Sequence, residues 1–329
     1  MVIVLDVPSA QAQRTAVQRR KTLAAIAAGS PARAAPRKQR QARRAYVTDH
    51  HPEFLNEYDR EGIWGGRDET LWSSFLTRGA RCARAVGRVS LAGAPEETRA
   101  EGTGFLVANS VLLTNHHVLP DEGVAGACVV EFDYEYDEAG RERRAQIFEL
   151  DPALMFFTSG EDRLDYTLVA VKPGARGAQP GASRGYLPLI GVTGKASNGE
   201  PLNVIHHPSG GRKRITIRNS QLLAADELTL HYTGDTLGGS SGSPVFNDQW
   251  EVVGLHFGGK PKRDSRRRAL TVTGEIWTPD MSPSLKDYDF NAAKRISRIV
   301  ADIAARRPRK QEVKMLQQAV LEQGKRIAP

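Results

Sequence analysis

Between Val86 and Phe257 the chain is a succession of short apolar runs, each closed by Gly, Asn, Asp or Pro. VGRVSLA, GTGFLVA, SVLLTN, ACVVEFDYEY, YTLVAV, PLNVIHH, RITIRNSQLL, LTLHY, SPVFN and WEVVGLHF are rich in Val, Ile, Leu, Thr and Tyr. Several alternate in polarity. β-Branched and aromatic side chains suit a pleated surface, and the punctuating residues supply turns, so the pattern predicts an antiparallel sandwich or barrel. No strand–helix–strand rhythm is present, which argues against a doubly wound parallel sheet. The 31 glycines and 18 prolines suit a turn-rich all-β domain, and 329 residues suffice for one large domain with extensions or two small ones.

The flanks have a different character. Residues 10–28 predict a short helix rich in Ala, Gln and Arg, after which Pro31 and Pro36 open a basic linker reaching about Arg44. From 45 to about 80, Trp64, Trp72, Phe75 and Leu76 are scattered anchors for a helical lead-in that docks on the main domain. Beyond Tyr288, Phe290, Ala293, Ile296, Ile299, Val300 and Ile303 fall at helical steps and make one apolar stripe. Pro308 ends it, and Val313, Leu316 and Val320 predict a second helix. The expected division is therefore 1–44 as a basic, partly helical or disordered extension and 45–84 as the lead-in, followed by 85–303 as the β domain with its closing helix and 304–329 as a basic helical tail.

Charge is segregated along this plan. Residues 1–44 carry ten Lys or Arg against Asp6, and residues 294–329 carry ten against Asp302, Glu312 and Glu322. With a whole-chain charge of +8, tails of +9 and +7 leave −8 for the middle. Basic blocks of this kind are ordinarily solvated arms, and they also suit an acidic partner or nucleic acid. Two cysteines, Cys82 and Cys128, are too few for a disulfide framework. The opening MVIVLDVPSA has a short apolar run with no basic segment before it, unlike a secretory signal, and no stretch reaches the roughly 20 apolar residues of a membrane span. A cytoplasmic protein without membrane attachment is expected.

Three segments carry chemistry. In GDTLGGSSGSPVF, glycines 238, 239 and 242 free the backbone for a tight turn and Pro244 stiffens its exit. Such a turn exposes a serine hydroxyl and aims backbone N–H groups at a developing oxyanion. Ser241 is the expected nucleophile, with Gly239 and Ser241 as oxyanion donors. In LLTNHHVL a histidine follows an apolar strand, where a general base needs rigid support. His117, directly before Val118, is the expected base and His116 the alternative. In RLDYTLVAV, Asp165 opens a buried strand and is the expected acid that orients the imidazole, with Asp162 its rival.

The order His, Asp, Ser and the TNHHV, DYTLV and GSSGSPVF segments together resemble the chymotrypsin-like (trypsin-like) serine peptidases. Within that family the similarity is strongest to the bacterial branch of the glutamyl endopeptidases and, more distantly, the HtrA-type proteases. It covers roughly residues 85–303 and not the tails. The resemblance implies a double barrel, two six-stranded antiparallel β-barrels, here with helical extensions at both ends. It further implies acyl-enzyme hydrolysis of peptide bonds, and no cofactor. Digestive members carry an aspartate before the nucleophile that pairs with a freshly cut amino terminus. Ser240 stands there, so that route of activation is absent.

The resemblance also marks a substrate pocket. Asp235 stands six before the nucleophile, where an aspartate selects Arg or Lys. Thr236, five before, and His256, fifteen after, match the pair that grips glutamate in glutamyl endopeptidases. A buried Asp235 carboxylate favours basic residues before the scissile bond, and an acidic preference is the rival. Gly258 and Gly259 would form the open edge on which a substrate strand pairs. His206, His207 and His231 are not expected to bind metal, because no H-E-x-x-H spacing occurs and strand neighbours face oppositely. No nucleotide-binding glycine loop is present.

Three functions follow. The first is a serine endopeptidase acting on protein or peptide substrates. The second is a catalytically quiet peptidase-fold module that recruits a protein partner or nucleic acid through basic tails. The third is an intracellular effector protease held inactive until an activating protein partner releases it. On basic specificity, Arg81, Arg84 and Arg88 lie where self-cleavage would free a new terminus.

Overall fold

The computed structural model describes residues 5–52, 70–95, 100–217 and 219–326; Trp64 lies outside them. The elements run β1 (Leu5–Asp6), α1 (Ser9–Arg14), α2 (Ala16–Ala27), α3 (Arg37–His50), α4 (Ser74–Arg84), β2 (Val86–Leu91), β3 (Ala100–Ala108), β4 (Val111–Thr114), α5 (Glu122–Ala127), β5 (Cys128–Phe132), β6 (Gln146–Ser159) and β7 (Tyr166–Val171). They continue with α6 (Pro180–Arg184), β8 (Asn203–His206), β9 (Arg214–Thr216), β10 (Leu222–Ala225), β11 (Thr229–Tyr232), β12 (Pro244–Phe246), β13 (Val252–Pro261), β14 (Tyr288–Arg295), α7 (Ile296–Ala305) and α8 (Gln311–Arg326).

Strands β2-β3-β4-β7-β6-β5 close into a six-stranded barrel. Strands β2, β4, β5 and β7 are buried on both faces along most of their length, and Val86, Val89, Phe105, Leu112, Leu113, Val130, Phe132 and Leu168 are sealed from solvent in one apolar core. The second sheet runs β10-β11-β14-β13-β12-β8-β9, with β1 added to β13. It is open by strand pairing, yet it curls: Leu202 N–H donates to Ser220 O (2.7 Å) and Leu222 N–H to Glu200 O (2.9 Å), drawing the start of β10 back towards β8. Leu202, Val204, Leu222, Leu230, Tyr232, Val245 and Val253 fill its interior. The architecture matches the expected double barrel, with one closed six-stranded barrel, while the second unit, expected as six antiparallel strands, is a half-barrel sheet of eight with β1 added in parallel.

At the carboxyl end the apolar stripe of α7 buries Ile296, Ile299 and Ile303, while α8 buries Val313 and Val320. Among the described residues no helix is long and apolar enough to cross a membrane.

The amino-terminal segment departs from the expected solvated arm. The helix foreseen over 10–28 is broken at Thr15, whose hydroxyl reaches His231 Nδ1 on β11 (2.8 Å). The stretch after Pro36, expected as linker, is α3. It docks because Tyr46, buried, donates to Glu251 Oε1 (2.7 Å) and His51 Nε2 lies 2.8 Å from the same oxygen. Arg43 adds bonds to Glu200 (3.0 Å) and Gln249 (2.8 Å). Burial drives the Glu251 carboxyl upward, but hydrogen bonds from His51, Asn247 and Tyr46 outweigh it and hold the acid below its ordinary range. Its bases are therefore spent partly on docking. In the lead-in, Phe75 packs against Trp250 (ring centroids 4.9 Å apart), whereas Trp72 and Leu76 are exposed.

Candidate active site

His117, Asp165 and Ser241 come from the three segments that the two β units place at their junction. His117 follows β4, and Asp165 immediately precedes β7, the strand that pairs with β4 through Thr114↔Thr167. Asp165 has φ +43, a left-handed conformation that aspartate tolerates better than most residues. Asn115 Nδ2 donates to its carbonyl (2.8 Å) and Asp165 N–H to Gly160 O (2.9 Å), which lock that conformation.

The carboxylate is fully buried and receives His117 twice. Nδ1 lies 2.9 Å from Oδ2 and 3.1 Å from Oδ1, and the His117 backbone N–H donates to Oδ1 (3.2 Å). A carboxylate can only accept, so Nδ1 carries the proton and Nε2 presents its lone pair. Nε2 is buried without a hydrogen-bond partner among the described residues. The alternative His116 is turned away, with Nδ1 on Thr158 Oγ1 (2.8 Å), and Asp162 is exposed.

Ser241 sits on a turn set by two glycines. Gly242 (φ +86) lies where a side chain would strike Thr103 O and Thr114 Oγ1, and Gly239 (φ +87) where one would strike Gly210 N and His207 O (both 2.6 Å). Neighbouring carbonyls are tied back. Gly238 O accepts from Ser209 N–H, Gly239 O from Thr103 Oγ1 (2.8 Å) and Ser240 O from Ser243 N–H (3.1 Å). In a trans peptide the following N–H points opposite to the carbonyl. These ties therefore direct Gly239 N–H away from Ser209 and Ser241 N–H away from Ser243.

Beside Ser241 lies a small pocket lined by Thr236, Leu237, His256, Gly258, Gly259, Tyr288 and Asn291. Its free space is about 10 Å³, room for at most about one water. Thr236 Oγ1 donates to Asn291 Oδ1 (2.8 Å), and Tyr232 Oη lies 2.8 Å from His256 Nδ1. Burial pushes the His256 imidazole down to about 3, helped by the nearby His206 and His117. Asp235, expected as a buried carboxylate at the pocket base, is instead exposed and outside the lining; its carbonyl accepts from Thr216 Oγ1 (2.8 Å). The short turn from Gly234 to Thr236 presents the next side chain, Thr236, inward.

Three residues around the site escaped sequence reasoning. Tyr232 and Asn291 come from strands that pair only in the fold. Ser209, in the HHPSGG turn, has φ +54, a conformation no spacing rule reveals. The histidines considered for metal each have other partners: His206 on Ser240 (2.7 Å), His207 on Gly211 O (2.9 Å), His231 on Thr15. Among the described residues no three His, Cys, Asp or Glu side chains are grouped to hold a metal ion.

The Arg residues considered for self-cleavage are not presented as extended chain. Arg81 and Arg84 are exposed but lie in helix α4, and Arg88 is buried inside strand β2.

A barrel and a curled sheet meeting at a buried His–Asp pair beside a glycine-flanked serine define a class of protein. Residues 102–255, a little under half of the chain, match the family model of the trypsin-like peptidase domain, which supports a chymotrypsin-like serine peptidase. A protein of Sinorhizobium fredii, the uncharacterized protein y4fB, is 36% identical over 256 residues, covering 73% of this chain and 39% of that protein. The chain thus spans well under half the length of that relative. Among solved structures it is similar to a Glu endopeptidase (TM-score 0.44, 15% identity, 67% of this chain, 88% of that one). It is also similar to Rv3671c from M. tuberculosis in an inactive form (TM-score 0.44, 17% identity, 73% of this chain, 99% of that one).

Proposed function

We propose that this chain is a serine endopeptidase, and the observation that carries the reading is the His117–Asp165 pair beside the Ser241 turn, with Val118 and Ser241 both set against Gly102. Ser241 Oγ attacks the scissile carbonyl carbon while His117 Nε2 takes its proton. Gly239 and Ser241 N–H groups receive the oxyanion, and Asp165 stabilises the imidazolium. As the C–N bond breaks, His117 returns the proton to the leaving amine. Water then attacks the acyl-enzyme, again deprotonated by His117, and frees Ser241. With Asp235 outside the pocket, no fixed negative charge awaits a basic side chain. Thr236, His256 and Asn291 favour a small polar or acidic residue before the scissile bond. Incubating the chain and Ser241→Ala with a mixed peptide library, read by mass spectrometry, tests both points. Cuts that survive in Ser241→Ala would sink the mechanism, and cuts after Arg or Lys would sink the pocket assignment.

The resting chain is latent in this reading, because β1 occupies the edge reserved for substrate. Leu5 pairs with Gly258 and Asp6 with Gly259, and Val7 N–H donates to Gly259 O (3.0 Å). Lys260 Nζ grips Val7 O (3.0 Å), and Arg263 pairs with Asp6. β13 passes the Ser241 turn at His256, whose carbonyl accepts Gly242 N–H (2.9 Å), and runs outward from there through Gly258 and Gly259. Residues preceding a scissile bond must point their carboxyl end at Ser241 and hence run antiparallel to β13. β1 runs parallel. It fills the edge in reverse and offers no bond for attack. A protein partner that peels β1 away would activate the enzyme. Deleting residues 1–8 is expected to raise kcat/KM at least about ten-fold, the scale of a released competing strand. An unchanged value would remove the latency reading while leaving the triad intact.

A further inference from the structure

We propose that His206 is a positioning residue that clasps the oxyanion turn through Ser240, the residue before the nucleophile. The proposal deepens the endopeptidase reading and rests on it for its catalytic consequence.

The hydrogen bonds around His206 admit one direction of donation. Thr216 Oγ1 lies 2.8 Å from Asp235 O, and a carbonyl only accepts, so the threonine proton is spent there. Thr216 Oγ1 must then accept from His206 Nε2, 3.2 Å away, which places the imidazole proton on Nε2. Nδ1 is left with a lone pair and accepts from Ser240 Oγ at 2.7 Å. Ser240 Oγ in turn accepts from Leu237 N–H (3.2 Å). A chain of four bonds therefore runs from Leu237 N–H through Ser240, His206 and Thr216 to Asp235 O. It begins and ends on the same short loop.

That loop carries both parts of the machinery outside the His–Asp pair. Thr236 lines the pocket, and Gly239 supplies a candidate oxyanion donor. The clasp pins it to the β8–β9 hairpin, where His206 pairs with Arg214. His206 and Ser240 are both buried, at 3% and 0% exposure, so water cannot readily replace a lost partner. Ser240 Oγ is the only side-chain atom of the turn in the chain of bonds. Its loss would loosen the peptides at Asp235 and Leu237 that lead into Gly238, leaving the Ser209 tie alone to aim Gly239 N–H. The clasp acts on the geometry of the oxyanion site rather than on substrate, so it should be felt in kcat and much less in KM.

The test compares the full chain with His206→Phe, which keeps a ring and removes both bonds, Ser240→Ala, which removes one hydroxyl, and His206→Gln, which restores a donor and an acceptor. Two readouts are taken: hydrogen exchange at the amides of residues 235–240, and Ser241-dependent peptide cleavage. The clasp predicts at least about ten-fold faster exchange in His206→Phe and Ser240→Ala, consistent with loss of one or more buried hydrogen bonds. It also predicts a kcat loss of about 10- to 100-fold with little change in KM, and partial rescue of both readouts in His206→Gln. Should His206→Phe fail to fold, Ser240→Ala carries the comparison. Unchanged exchange in Ser240→Ala overturns the proposal. Faster exchange with unchanged kcat also overturns it, since the turn would then be held elsewhere. If the wild-type chain makes no Ser241-dependent cut even after removal of residues 1–8, the endopeptidase reading falls, and the exchange rates alone still decide whether the clasp exists.

Discussion

The Arg88 guanidinium and the Glu131 carboxylate form an ion pair sealed inside the junction of the two β units, with Nε 2.8 Å and Nη2 2.5 Å from Oε2. Both side chains are essentially without solvent exposure. Arg88 Nη1 also donates to Gly210 O (2.8 Å), and the guanidinium lies 3.7 Å from the centroid of the Tyr134 ring. Gly210 ends the turn whose Ser209 N–H ties back Gly238 O. The pair thus braces the far side of the turn that carries Ser241. Breaking it from one end leaves an uncompensated buried charge, a loss of about 3–5 kcal/mol. Glu131→Gln should lower the urea midpoint accordingly, and Arg88→Met with Glu131→Leu should restore most of it. A single variant as stable as wild type would show that the pair bears no load.

Asp165→Asn keeps the shape of the acid but removes the charge that holds His117 with Nδ1 protonated. Turnover of a cleavable peptide should fall by about 10⁴-fold with KM little changed. The readout is steady-state kinetics on the released form lacking residues 1–8. A loss under about ten-fold would mean that Asp165 does not orient the base.

Acid should weaken the fold through histidines buried in neutral form. Burial lowers His206 and His231 to about 4 and His256 to about 3. Unfolded, each takes a proton near pH 6.5, so the unfolded chain binds more protons between there and the folded values. Their stabilising contribution is whole above about pH 6.5 and drains away as pH falls towards 4. Each contributes a slope of up to about 1.4 kcal/mol per pH unit in that window. Denaturation midpoints measured from pH 7 to 4.5 should fall steadily, and His231→Phe, away from the catalytic residues, should flatten the slope by about one proton. An identical slope in the variant would contradict a neutral buried His231.

Glu251 holds helix α3 on the β domain through Tyr46 and His51, and it also accepts from Asn247 Nδ2 (2.7 Å). Glu251→Ala should cost about 1–3 kcal/mol, the penalty for orphaned buried polar groups. It should also open Arg37, Lys38, Arg40 and Arg44 to limited trypsin digestion, to which the wild-type helix should be slow to yield. Equal digestion rates would indicate that α3 is a free arm in solution.

Much of the β architecture was legible because strand-forming runs and turn residues are local features. His117, Asp165 and Ser241 stood out because each belongs to a short motif bound to a strand end. The helix stripe from Phe290 to Ile303 was legible for the same reason, although its first part is strand: Phe290 and Ala293 lie on β14. Short apolar spacing does not distinguish the last turn of a strand from the first of a helix. The exposed position of Asp235 could not be read, since one residue of backbone twist decides whether Asp235 or Thr236 faces the pocket.

By itself the sequence determined the strand content, the order of the catalytic candidates and the glycines that permit the Ser241 turn. These depend on local conformational preference and on residue chemistry. The tertiary structure alone decided that a basic segment docks as helices and that β1 pairs in parallel with β13 at Gly258 and Gly259. It also decided that His206 closes a ring of hydrogen bonds around Ser240. Each of these joins groups far apart in the chain: Leu5 with Gly258, Tyr46 with Glu251, His206 with Ser240. Such contacts depend on how buried polar groups find partners once two separately formed β units meet, and no local pattern encodes that pairing.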